Sequence, residues 1–475
     1  MKRSTRLLIG SFKSVSALLI GIALLQAASG LQGTLIGLRA AVENFSTPMI
    51  GLFMSLYYAG FLAGAHYAPK IIQKIGHPRM FAAMASVASI TIFFHYLTLD
   101  PYVWAVARAV NGFAFVGMFV TAESWLNDRA RPRVRGQVVS VYMMIQYLFL
   151  AMGYNLVNAA EPSEAFLYIL TSILISAALL PVLLTTKRTP HFQAPELFPP
   201  KQLFQSSPLS AMGAVNMGLT QSIMFTMGVI YLQKLGLPTS GITLLLTVFI
   251  LSGALSQWPF GALSDKYDRR YVIGGLSLGS AAAMIGVGFS AGVNFTAAAV
   301  FIGLYGAFFL PLYAMILAYM NDRLKPQQMV SASGTLYIFY GVASVAGPLL
   351  CAGVMYTAGN IGFAVTLFIL HLLMGIYTGW RIKSGDAVPD AEQGSYIPAM
   401  RAPIGVTPLL ETMLETAQES MTMPPPKPQN KKRKKRKKRQ LNKTRPVRKT
   451  KTKPAAKAKP AAKTKKAKKK PPRKK

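Results

Sequence analysis

The stretch YVIGGLSLGSAAAMIGVGFSAGVNFTAAAVFIGLYGAFFLPLYAMILAYM, residues 271–320, contains no Asp, Glu, Lys or Arg. A membrane-spanning helix takes about 20 apolar residues, so this run is too long for one crossing. A turn signal, Gly292-Val293-Asn294, sits near its middle, and the run reads as two helices joined by a tight turn. Residues 326–380 repeat the pattern, with Gly359-Asn360 as the turn. Shorter uncharged runs occupy 14–38, 44–69, 80–99, 136–160, 165–186, 202–233 and 235–264, and 101–122 contains one charge. Together these give twelve spans, numbered here 1 to 12 in chain order. The fold class is an all-α membrane protein.

Composition agrees. Hydrophobic residues make up 52% of the chain and charged residues 14%, against roughly 25% charged in a soluble domain. The single cysteine, Cys351, lies inside a span, which excludes a disulfide framework. Lys2, Arg3 and Arg6 precede the first apolar run as they would in a signal peptide. That run exceeds a signal-peptide core of about 7–15 residues, and further spans follow it, so it reads as an uncleaved first helix.

The net charge of +36 is located unevenly. Of 52 Lys and Arg, 27 fall in residues 427–475, which hold no acid; the other 426 residues hold 25, against all 16 acidic residues. Within that remainder the basic residues keep to alternate connections. Lys2, Arg3, Arg6 and Lys13 precede span 1, and Lys70, Lys74 and Arg79 follow span 2. Arg129, Arg131, Arg133 and Arg135 follow span 4, and Lys187, Arg188 and Lys201 follow span 6. Lys266, Arg269 and Arg270 follow span 8, and Arg323 and Lys325 follow span 10. The positive-inside rule puts all of these, and both termini, in the cytoplasm of a bacterial cell inner membrane.

Two halves share one design. Asn127-Asp128-Arg129-Ala130-Arg131-Pro132 after span 4 and Asn321-Asp322-Arg323-Leu324-Lys325-Pro326 after span 10 both fit N-D-R-x-[RK]-P, 194 residues apart. At that offset Gly112 meets Gly306 and Ser46 meets Ser240, while Lys74 and Lys266 lie 192 apart. Parallel repeats of this kind mark transporters built from two related bundles. The expected division is an N-terminal six-helix bundle at 1–186 and a Pro-marked cytoplasmic linker at 187–207. A second bundle at 208–382 and a Lys/Arg-rich tail at 383–475 complete it.

After span 8 the chain reads Gly261-Ala262-Leu263-Ser264-Asp265-Lys266-Tyr267-Asp268-Arg269-Arg270. This closely resembles the major facilitator signature G-x-L-[AS]-D-[RK]-x-G-R-[RK], with Asp268 where the family usually has Gly. Ser256-Gln257-Trp258-Pro259-Phe260-Gly261 and Glu123-Ser124-Trp125 resemble the YcaD branch of that superfamily. The resemblance covers residues 10–385. It implies the twelve-helix, two-bundle fold and a solute transporter, and it implies that Gly261, Asp265, Lys266, Arg269 and Arg270 form a gate. A glycine near a helix end admits a close neighbour, and an Asp there can accept from backbone amides or pair with an Arg. The bland alternative is that these charges only keep the loop in water.

The N-half copy is eroded. Gln73 stands opposite Asp265, while Lys74, Gly76 and Arg79 are retained. The gate there would lack its acid unless Glu123 supplies it through a pair with Arg79 or with Arg135, whose Arg135-Gly136 dipeptide resembles a family pattern at this loop.

Arg108 is the one Asp, Glu, Lys or Arg well inside a span. A central charge costs at least about 2.5–3.5 kcal/mol, so it needs a partner or a cavity. Arg108 to Gly112 resembles the superfamily pattern R-x-x-[QN]-G in span 4, which lines the central cavity of that fold; Asn111 belongs to the same pattern. Arg108 then either engages an anionic group or tunes a proton site. Otherwise it is satisfied by neighbouring carbonyls or snorkels outward. No Asp or Glu offers itself as a proton carrier inside a span. His66, His95 and His371 are the remaining candidates for a proton site inside the spans, though a lone histidine is more often a packed one. The G-P-x-x-G-G run of drug antiporters is missing from span 5; span 11 instead has Gly341, Gly347-Pro348 and Gly353. Gln26, Gln32, Asn216 and Gln221 in spans 1 and 7 complete the cavity candidates, each equally suited to hydrogen bonding between helices.

Thr407-Pro408 opens a short amphipathic segment through Leu409, Leu410, Met413, Leu414 and Ala417. The Lys/Arg/Pro/Ala-rich sequence beyond Lys431 has no apolar surface to bury and should be disordered. Tethered at the membrane, it suits anionic lipid or nucleic acid, without aromatics for base stacking. No metal or catalytic constellation stands out, so the expectation is a transporter with a small-molecule substrate, no cofactor and a monomeric state in the lipid bilayer. The rival is a membrane-anchored binding protein that presents the basic tail.

Overall fold

A computed structural model of the 475-residue chain describes residues 2–129, 135–183 and 198–384. The chain divides at Met423 into two units, and all described residues belong to the first. The tail expected at 383–475 lies outside the described residues beyond Ser384.

The described residues form helices and connecting turns. In order they are α1 (Lys2–Val42), α2 (Thr47–Ile75), α3 (His77–Leu97), α4 (Pro101–Arg129), α5 (Arg135–Leu156) and α6 (Ala165–Leu183). A short α7 (Pro200–Ser206) follows, then α8 (Pro208–Lys234), α9 (Thr239–Ser264), α10 (Arg269–Ser290), α11 (Phe295–Phe309), α12 (Leu312–Asn321), α13 (Pro326–Ala358) and α14 (Ile361–Ser384). Twelve stretches among them are long and apolar enough to cross a membrane, so the chain is a multi-pass membrane protein. Ile90, Leu97, Val106, Leu255, Trp258, Phe289 and Val293 are exposed, as lipid-facing side chains must be when the backbone is satisfied within each helix.

The two long uncharged runs do turn where the sequence placed the turns. Gly292 has φ +87° and Gly359 φ +73°, a conformation that a side chain would strain. Asn294 then caps α11 by accepting from the Ala297 amide at 3.0 Å. Span 10 is discontinuous: α11 stops at Phe309 and α12 resumes at Leu312, with Pro311 between. Proline removes a backbone donor and frees carbonyls in the preceding turn. The Leu310 carbonyl accepts from Gln257 Nε2 at 3.4 Å.

Close packing inside each half is set by glycines at matching positions. A Cβ on Gly112 would stand 2.0 Å from the Tyr57 carbonyl oxygen, and one on Gly306 would stand 2.2 Å from the Phe249 oxygen. Thus α2–α4 and α9–α11 touch through the same residue of the repeat. A Cβ on Gly153 would likewise stand 2.3 Å from the Ala27 oxygen, and one on Gly347 2.6 Å from the Leu219 oxygen. These positions are also 194 apart, and they join α1–α5 and α8–α13. Backbones approach this closely only where no side chain intervenes.

Contacts between the halves run from the ends of α2, α5, α8 and α9 that are remote from the Asp265–Arg270 loop to the middle of the spans. Lys234 Nζ donates to Thr47 Oγ1 at 2.9 Å, Asn158 Nδ2 to Thr243 Oγ1 at 2.9 Å and Asn155 Nδ2 to Thr247 Oγ1 at 2.8 Å. Gln257 Nε2 donates to Tyr147 Oη at 3.0 Å. Along α2 and α13, Gly51 faces Ala352 and Pro348, Gly341 faces Leu62, and the Phe61 and Tyr337 rings are 6.3 Å apart. The described part of the linker is not a free strap. Thr335 Oγ1 on α13 donates to the Phe198 carbonyl at 2.5 Å and Leu203 is fully buried, so α7 is docked on the second half.

Candidate functional site

Two regions bring together the residues that the sequence singled out. The first is a small cavity of about 50 Å³ lined by Ser29, Gln32, Tyr57, Tyr58, Arg108 and Phe225, among others. It sits where α1, α2 and α4 of one half face α8 of the other. Arg108 reaches it from α4 and is 3% exposed, so it does not snorkel outward. Its guanidinium carbon lies 4.2 Å from the centre of the Tyr57 ring, and Nη2 lies 3.7 Å from Met54 Sδ. Nε is buried with no hydrogen-bond partner. The ion pairs described belong to Arg39, Arg269 and Arg270.

The other expected cavity residues divide. Gln32 lines the cavity; its Nε2 donates to Asn111 Oδ1 at 2.6 Å, and its Oε1 is buried without a partner. Asn111 Nδ2 donates onward to Thr91 Oγ1 at 3.1 Å. Asn111 is therefore a brace between α1, α3 and α4 rather than part of the cavity wall. Gln26 is turned to Gln146 on α5, and neither it nor Asn216 or Gln221 is on the wall. Gln221, one helical turn before Phe225, has both side-chain polar atoms buried and without partners. The sequence missed Tyr57, Tyr58 and Phe225. Aromatic residues in a span read as ordinary lipid or core residues until a charge is found beside them.

His95 and His371 are packed residues, and His66 is not. His95 Nδ1 lies 3.2 Å from the Thr91 carbonyl oxygen and its ring packs edge-on to Trp104. His371 Nε2 lies 3.1 Å from Tyr305 Oη, and His66 is exposed beside Lys70.

The second region is the loop between α9 and α10. Arg269, 1% exposed, is shared: it meets Asp265 Oδ1 at 3.5 Å and forms a shorter ion pair with Asp322 at the end of α12. The Asp322 side chain is 3% exposed, and that of Asp265 is 42% exposed. Arg269 thus keeps the expected contact with Asp265 and has a second, buried partner in Asp322, an element of the N-D-R-x-[RK]-P loop. Lys266 is exposed and Gly261 is buried.

Asp268, which departs from the family pattern, caps α10. Its Oδ1 accepts from the Arg270 amide at 2.9 Å, and its Oδ2 accepts from Arg270 Nη2 at 2.7 Å. Partial burial opposes ionisation of Asp268, but the hydrogen bonds and charge of Arg270, with Arg323 nearby, outweigh it and hold the carboxyl below its ordinary value of 3.8. Arg270 Nη1 also donates to the Arg381 carbonyl at 3.4 Å, fastening α10 to α14.

The corresponding end of the first half is built differently. Glu123 is 1% exposed and accepts from Tyr142 Oη, which in turn accepts from Gln146. A buried carboxyl therefore does exist, near the end of α4 rather than mid-span. Lys74 and Arg79 are exposed, and Gly76 makes the turn between α2 and α3 with φ +81°. His77 Nε2 lies 3.0 Å from Ser124 Oγ beside Glu123. The side chain of Arg135 lies outside the described residues.

A family profile described as Major Facilitator Superfamily matches residues 18–348 and 209–451. An MFS-type transporter of Enterobacter sp. (strain 638) is 26% identical over 368 residues, covering 76% of this chain and 95% of its own. The MFS-type transporter YcaD of Escherichia coli O6:K15:H31 (strain 536 / UPEC) is 26% identical over 377 residues, again with 76% and 95% covered. Among solved structures, the nucleoside transporter NupG superposes with a TM-score of 0.67 at 13% identity, covering 78% of this chain and 99% of its own. That likeness is one of fold.

Proposed function

The chain belongs to the major facilitator superfamily, and from that premise we propose that it moves a small solute across the bacterial inner membrane by rocking of residues 1–186 against 208–382. The reaction class is secondary transport, with no covalent step. The observation that supports this reading best is the shared packing of the two halves around an interface that holds the Arg108 cavity. Pseudo-symmetric bundles with a central site are the architecture of alternating access. A cavity of about 50 Å³ holds a few waters and is too small for a solute, so binding requires the halves to part.

In this reading Arg108 and Gln32 are substrate residues, and Asp265, Arg269 and Asp322, with Gly261, Lys266 and Arg270, form the cytoplasmic gate of the second half. Lys74, Gly76, Arg79, Glu123 and Arg135 form that of the first. The contacts at Asn155–Thr247 and Asn158–Thr243 hold the opposite end closed. Both termini are cytoplasmic, and the chain works as a monomer.

The test is a panel uptake and efflux assay in membrane vesicles under an imposed pH gradient. Wild type is compared with Asn155→Cys/Thr247→Cys after treatment with a bifunctional thiol reagent. Cross-linking should stop transport, and cleavage of the linker should restore it. Undiminished transport by the cross-linked protein would rule out rocking.

The basic tail supports a second reading, in which the helices anchor a lipid- or nucleic-acid-binding segment. Deleting 427–475 discriminates: the transporter reading expects unchanged flux.

A further inference from the structure

We propose that Arg108 receives the negative charge of the substrate, and that the substrate is a small organic anion with a flat ring or unsaturated body. The inference rests on the transporter reading and names its substrate class.

Arg108 is 3% exposed. A charge so placed in a membrane costs several kcal/mol unless something compensates it. Its neighbours compensate it poorly. The thioether of Met54, 3.7 Å away, is a weak acceptor, and the Tyr57 ring face at 4.2 Å offers only the attraction of its π-electrons. A guanidinium presents five donors in a planar fork, and Nε has no partner. That fork matches a carboxylate with two parallel hydrogen bonds.

The rest of the wall selects among anions. Five of the residues that line the cavity are aromatic: Tyr57, Tyr58, Phe115, Tyr154 and Phe225. An inorganic anion would leave these faces against its own tightly held water, whereas a ring would stack on them. Gln32 adds an acceptor, since its Nε2 is committed to Asn111 and its Oε1 is buried and unpaired. A hydroxyl or amino group on the solute would satisfy it. A cationic solute would meet Arg108 head-on, and a neutral one would leave the charge as uncompensated as before.

The experiment measures thermal unfolding of the full-length protein in detergent with benzoate, 4-hydroxybenzoate, benzamide, benzylammonium or chloride. The benzoates should raise the unfolding temperature, and benzamide, benzylammonium and chloride should not. Arg108→Gln should abolish the benzoate shift. Arg108→Lys keeps the charge and thus the fold, but loses the planar fork, so the concentration for half-maximal shift should rise about tenfold or more. A chloride shift equal to that of benzoate would reassign the site to inorganic anions and overturn the inference. So would an equal benzamide shift, no shift with either benzoate, or a full benzoate shift in Arg108→Lys. Proteoliposome flux separates the two readings. Benzoate binding without flux of any panel member counts against transport, and leaves Arg108 as an anion-binding site but overturns its assignment to a substrate. Flux of a neutral or cationic solute undiminished by Arg108→Gln does the reverse.

Discussion

The two halves agree in their interiors and differ at the end that carries the basic loops. Gly112 and Gly306 close one helix pair in each half, and Gly153 and Gly347 close another, at an offset of 194 in both cases. At the signature end the second half buries an ion pair, Arg269 with Asp322. The first half buries a carboxyl, Glu123, hydrogen-bonded by Tyr142, and leaves Arg79 exposed. At these four glycines there is no room for a side chain because the backbones themselves touch. A polar end can be rebuilt from different parts as long as each buried group is satisfied.

The strongest test of the shared interior is a paired substitution, Gly112→Val and Gly306→Val. Each new side chain would start 2.0 or 2.2 Å from a backbone oxygen, and overpacking costs about 1–3 kcal/mol or more when backbone must move. Both variants should lose most folded protein, measured by the yield of monodisperse material. If one is tolerated and the other is not, the halves do not pack alike.

The difference at the ends is tested next. Arg269→Ala removes the ion pair with Asp322, whose side chain is 3% exposed, and breaking a buried pair costs about 3–5 kcal/mol. Arg79→Ala removes an exposed charge, and such a change is within about 0.5 kcal/mol. Melting temperature and flux should therefore fall sharply in the first variant and hardly in the second. Restoration by Arg269→Asp/Asp322→Arg would identify the pair itself as the cause. Equal effects from Arg269→Ala and Arg79→Ala would erase the distinction.

The smallest effect concerns Asp268. Replacing it by Gly restores the family pattern and removes a cap, which costs only a few tenths of a kcal/mol relative to Gly, together with one partly exposed pair. The folded-state pKa of Asp268 lies below 3.8. The stability it contributes is present above the unfolded pKa and is lost as pH falls through the folded one. Melting curves of wild type and Asp268→Gly should thus differ slightly above pH about 4 and converge below it.

Hydropathy made the twelve spans legible, and the N-D-R-x-[RK]-P loops exposed the repeat. The glycine pair 153/347 was within reach of the same offset and was missed, since a glycine in a span has no chemistry to draw attention to it. The role of Asp322 was also latent: its loop was visible as a repeat, but only folding shows that α12 delivers it to Arg269. Asn111 and Gln26 looked like cavity residues because polarity in a span suggests function. In three dimensions each is used up by another helix. Tyr57 became meaningful only once Arg108 was found lying on its ring.

Gln257 links two scales of structure. One amide group reaches the Leu310 carbonyl, next to the break at Pro311, and also Tyr147 on the opposite half. The discontinuity in span 10 and the adhesion of the two bundles therefore share a donor. In the proposed rocking, a motion that withdraws Tyr147 would free the Gln257 amide to bond the Leu310 carbonyl alone, which ties the interface to the break in span 10.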